Sequence, residues 1–153
     1  MEKRIKQRIG ALKTLNGRMN SEMAGLRQTR RQADDRLHVI KEKLSVIDEE
    51  IGEAERCLRS ALDPGSDLAL DEYQMLIDYL DYQQRIRFNN ERQQGFAQVR
   101  LEKIEEEMIQ QGLKIRGMEN LLERRARELA LAKEHKQLSL LDEMWLQKQK
   151  DES

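Results

Sequence analysis

From Ile5 to Ala61 the chain keeps a seven-residue beat almost without interruption. Stepping by four and three, the positions are Ile5, Ile9, Leu12, Asn16, Met19, Met23, Leu26, Arg30, Ala33, Leu37, Ile40, Leu44, Ile47, Ile51, Ala54, Leu58 and Ala61, and only Asn16 and Arg30 are polar. Apolar residues repeating every 3.5 positions form a narrow stripe on a helix, and only a second helix wound beside the first can cover it. At about 1.5 Å per residue such a helix is about 85 Å long. That is too long for a compact domain of 153 residues, so the spacing predicts an elongated coiled coil.

Composition supports this. Charged residues make up 37% of the chain, aromatics 4%, and there is one proline. Lys, Arg, Glu, Gln and Leu favour helix and disfavour strand. A thick core needs more large apolar side chains, whereas a two-helix seam needs only its a and d positions. So high a charge would also suit disorder, but a sustained heptad register argues for helix. Cys57 stands alone, which excludes an internal disulfide framework, and the expected setting is the reducing cytoplasm. No stretch has the length or apolarity of a membrane span, and the N-terminus has no signal-peptide core.

The beat stops at Leu62-Asp63-Pro64-Gly65-Ser66-Asp67, the one strong helix-breaking cluster. Ser66 or Asp67 can cap a second helix, with Asp71 and Glu72 complementing its dipole. A short connection makes two long helices antiparallel neighbours. The expectation is therefore all-α: one antiparallel coiled-coil hairpin over 1–153, monomeric in isolation. Helix 1 covers about 2–62, the turn 63–67, helix 2 about 68–147, and 131–153 is an overhang that frays at its end. Residue i should face roughly residue 131 − i, so Leu58 meets Tyr73, Ile51 meets Leu80 and Asn16 meets Ile115. The second beat is clear from Ala97 through Leu101, Ile104, Met108, Gln111, Ile115, Met118, Leu122, Arg125, Leu129 and Ala132. Between Asp81 and Gln94 it fails among Asn89, Asn90, Gln93, Gln94 and Gly95, which predicts a loosened seam or a bend. Apolar Leu37–Ile47 would then lie opposite polar Gln84–Gln94, a mismatch that suggests a surface left for a partner.

Charge is segregated. Residues 1–36 carry ten basic side chains against four acidic, and residues 48–81 carry eleven acidic against two basic. This fits either a solvated coil surface or two ends that meet different partners. Leu138, Leu141 and Trp145 form an apolar stripe on the overhang, either a partner anchor or a segment folded back on the coil. Catalytic chemistry is not visible. His38 and His135 lack ligand-spaced companions, the glycines are scattered rather than gathered in a phosphate loop, and a two-helix coil offers no concave pocket. The chain is expected not to be an enzyme and to need no cofactor or metal. Arg27, Arg30 and Arg31 cluster, but without base-stacking aromatics or a basic region followed by a zipper, so nucleic acid is not an expected partner.

The segment Tyr73-Gln74-Met75-Leu76-Ile77-Asp78-Tyr79-Leu80, then Leu121-Leu122-Glu123-Arg124, then Leu140-Leu141-Asp142-Glu143, set on two long helices, resembles the FliJ/YscO family. These are stalk proteins of type III secretion systems, flagellar and injectisome; the late half resembles the flagellar pattern only loosely, which favours the injectisome branch and a role in virulence. The resemblance implies a protein-transport component without catalysis, similar to the rotor stalk of F-type ATPases. It implies binding to a hexameric export ATPase by the end carrying both termini. It also implies binding to the cytoplasmic domain of the export gate near the turn, in some members binding to export chaperones, and a cytoplasmic location at the base of the secretion apparatus. On that basis Leu76, Leu80, Gln83 and Arg87 are the gate-side candidates and Arg4 and Arg8 the ATPase-side ones. The rival expectation is a generic coiled-coil scaffold or tether that dimerises through its stripe.

Overall fold

A computed structural model describes residues 1–63, 65 and 69–152. Their secondary structure consists of two α-helices, α1 (Glu2–Ala61) and α2 (Leu70–Glu152), packed against each other as an all-α hairpin. Two i→i−3 backbone bonds, Leu62 N–H to Arg59 O and Asp63 N–H to Ser60 O, both 3.2 Å, tighten the end of α1. Gly65 then takes φ 100°, the left-handed region where a side chain would be strained. Helix α2 opens with Asp71 and Glu72 in its first turn, as the dipole favours. It begins two residues later than the sequence suggested, and the expected cap at Ser66 or Asp67 lies outside the described residues. At its other end α2 continues to Glu152 instead of fraying near Gln147.

The chain forms two packing units. The turn-side unit, Arg27–Glu106, holds every buried apolar residue: Ala33, Leu37, Ile40, Leu44, Ile47, Ile51 and Ala54 from α1, and Ala97, Leu101 and Ile104 from α2. Their α1 spacing is the predicted beat. On α2 the sheltered positions Tyr73, Leu76, Leu80, Gln83, Arg87, Asn90, Gln94, Ala97, Leu101 and Ile104 step by three and four throughout. The beat therefore does not fail between Asp81 and Gln94, and α2 runs through that span unbroken. It passes onto polar side chains, of which Gln83, Arg87 and Asn90 hydrogen-bond to Glu50, Asp48 and the Ile86 carbonyl oxygen. Nor is Leu37–Ile47 left open, because Leu37, Ile40, Leu44 and Ile47 are all buried under α2. Arg30, expected in the seam, lies outside it. Its guanidinium stays solvated and reaches Glu105 at 3.6 Å, while Thr29 takes the half-buried position.

The termini unit, Met1–Leu26 with Glu107–Ser153, is looser. Ile5, Ile9, Leu12, Met19, Met23 and Leu26 meet the α2 side of the seam, but all are only half-buried. Among its described residues Gln111 is the one buried, donating to Met19 O at 3.0 Å and to Glu22 Oε2 at 3.2 Å. Asn16 Oδ1 is buried without a hydrogen-bond partner. A polar group in that state costs stability, and in coiled coils such groups fix register. Seam contact ends near Ala132, and Lys136 Nζ still reaches Glu2 Oε2 at 3.8 Å. From Lys133 to Glu152 every residue is exposed, so this stretch is a bare helix. Within both units cross-helix partners run antiparallel, as Asp48–Arg87, Arg30–Glu105 and Glu22–Gln111 show.

Candidate interaction surfaces

The four turn-side candidates lie on the side of α2 that faces α1. Leu76 and Leu80 are half-buried seam residues. Gln83 is 7% exposed and donates through Nε2 to Glu50 Oε2 and to the Tyr79 hydroxyl, both at 3.0 Å. Tyr79 in turn sets its hydroxyl 3.5 Å from the same Glu50 oxygen. Arg87 donates through Nε to Asp48 Oδ1 at 2.6 Å and through Nη1 to Glu91. The hydrogen bond to Asp48, then the nearby Asp48 and Glu91 charges, raise its pKa above the ordinary arginine value. These polar side chains therefore tie α2 to α1, Gln83 from within the seam and Arg87 from its edge. The heptad spacing could have revealed this, since Gln83, Arg87, Asn90 and Gln94 connect Leu80 to Ala97 in steps of three and four.

What the turn-side unit turns outward is a different set. Met75 is 70%, Tyr82 60% and Phe96 68% exposed. Each precedes a seam residue by one, and they recur at seven and fourteen residues, a pattern also present in the sequence. Val39 and Val46 do the same on α1.

In the termini unit Arg4 and Arg8 are exposed. Lys6 is paired with Glu2 at 3.4 Å. On the bare end of α2, Leu138, Leu141 and Trp145 are all more than half exposed, joined by Leu140, Met144 and Leu146. The stripe does not fold back onto the hairpin.

Other chemistry is sparse. His38 is exposed and sits 3.0 Å from Glu42 one turn away. Cys57 is exposed. Among the described residues there is no group of three or more His, Cys, Asp or Glu placed to hold a metal, and no helix long and apolar enough to cross a membrane. No family model, curated protein or solved structure matches the chain.

Proposed function

We propose that this protein is a stalk of a type III secretion system, of the FliJ/YscO kind and its injectisome branch, which engages a hexameric export ATPase with its termini end and links it to the export gate. The observation that supports the reading best is the bare end of α2. A helical pair that continues as one exposed helix from Lys133 to Glu152, with an apolar stripe through Leu138, Leu141 and Trp145, suits insertion among the subunits of a ring. Arg4 and Arg8 add positive charge at the same end. The mechanism is mechanical: an asymmetric coil in a symmetric ring contacts its subunits unequally and so biases them differently. An export chaperone is a further partner in this reading.

Gate binding is assigned to the turn-side unit. Because Leu76, Leu80, Gln83 and Arg87 serve the seam, they shape this surface and do not form its outermost layer. The second reading, a dimerising scaffold or tether, draws on the same exposed overhang, since an apolar stripe of that kind also suits a second copy.

Pull-down against purified export ATPase and gate domain tests the proposal. Leu138→Ser/Trp145→Ser and Arg4→Glu/Arg8→Glu should each weaken ATPase binding at least tenfold and leave gate binding intact. Leu76→Ala/Leu80→Ala should weaken the gate interaction, with helicity and melting measured first. A chain that binds neither protein and sediments as a dimer would support the tether instead.

A further inference from the structure

One lateral side of the turn-side unit carries an apolar groove with cationic edges. Ala33, Ile40, Ala97 and Phe96 line a notch of about 170 Å³, flanked by Arg36 from α1 and Arg100 from α2. Gln93 also lines an adjoining open groove of about 520 Å³ formed by Val39, Val46 and Ile86, with Lys43 at its edge. Val39 is 48%, Val46 52% and Phe96 68% exposed.

Arg30 and Arg87 each hold a carboxylate of the opposite helix. Arg36 and Arg100 flank one notch from the two helices, and neither forms an ion pair among the described residues. The one carboxylate lining either cavity, Glu42, is already engaged by His38. Like charges across a coil seam oppose each other, and a carboxylate placed between them relieves this. The large cleft on another side of the unit is instead lined by charges of both signs, Asp48, Glu49, Glu53 and Glu91 with Lys41, Arg56 and Arg87.

We infer that this groove is a docking site for an amphipathic helix of a partner protein, with Asp or Glu flanking the helix's apolar stripe. Val39 and Val46 lie seven residues apart, as do Ile86 and Gln93, so the groove repeats at the period of a third coiled-coil helix. From Arg36 to Val46 it offers roughly 15 Å, about three turns. A small anion would use the arginines and ignore the apolar floor; a neutral helix would cover the floor and leave the arginines facing each other. An acidic amphipathic helix meets both demands. The inference stands apart from the stalk reading, since it rests on this face alone.

Two synthetic helical peptides of identical apolar stripe, one flanked by Glu and one by Lys, test it by fluorescence anisotropy against the full chain. The Glu-flanked peptide should bind, more weakly as salt rises, and the Lys-flanked one should bind at least tenfold more weakly. Arg36→Gln/Arg100→Gln should cost the Glu-flanked peptide about tenfold, as should Phe96→Ser, with helicity retained in both. Lys13→Gln, in the termini unit, should leave binding unchanged. Equal binding of the two peptides, no binding of the acidic one, or indifference to the arginine substitutions would overturn the inference. So would displacement of the bound peptide by an oligonucleotide at similar concentration, or sedimentation showing the face already taken by a second copy.

Discussion

Gln83 illustrates how a polar residue earns a place in an apolar seam. It occupies a d-type position, and Glu50 and Tyr79 satisfy its amide at 3.0 Å. Gln83→Glu would set a second carboxylate beside Glu50, and we expect a loss of about 1–3 kcal/mol at neutral pH. The loss should shrink in acid, since protonating either carboxylate removes the repulsion; chemical denaturation at two pH values reads this. Asn16 makes the complementary case. Its buried Oδ1 has no partner, so Asn16→Leu should raise stability by about 1–2 kcal/mol. If melting shows no gain, the carbonyl oxygen is hydrated in solution and imposes no cost.

At the scale of the helices, the seam makes the sharpest demand. Leu44 and Ile104 are buried, whereas Glu102 is exposed. Leu44→Asp and Ile104→Asp should each cost roughly 3–5 kcal/mol, because an unpaired carboxylate enters the seam, and Glu102→Lys should be nearly silent. Equal melting of all three variants would reject the register. The register of α1 was legible because its code is simple: apolar residues at steps of three and four. The α2 stretch from Asp81 to Gln94 was not legible on the same code, because hydrophobicity marks a seam only when the seam is apolar. There the structure keeps the period and changes the chemistry, from Leu80 to Gln83, Arg87, Asn90 and Gln94. The gate-side candidates were affected for the same reason: a polar Gln83 or Arg87 reads as surface until the opposite helix supplies Glu50 and Asp48. Arg30 failed in the other direction, since position alone placed it in the seam and its guanidinium kept it in water.

Taken whole, the chain spreads its charge and its burial unevenly. The turn-side unit holds eighteen acidic residues against thirteen basic, and the termini unit eleven against fifteen. Burial is uneven in the same sense: the closely packed apolar seam belongs to the turn-side unit, and the termini unit is half-exposed along its length. Removing 133–153 should leave the melting temperature within a few degrees, because Lys133–Glu152 buries nothing. Hydrogen exchange should find the most protected amides around Ile40–Ala54 and the least beyond Ala132. The location of the tight seam also gives folding a direction. Residues of the turn-side unit come together with a smaller loss of chain entropy than those of the termini unit, and the turn-side unit also holds the buried apolar seam, at 33–54 and 97–104, while Leu58, Ala61, Tyr73 and Leu76 beside the loop are half-buried. Closure is thus rewarded sooner in the turn-side unit, so the hairpin should nucleate there and propagate toward its termini. Conservative truncations at Ile51 should slow folding, while truncations at Ile9 should act chiefly on unfolding.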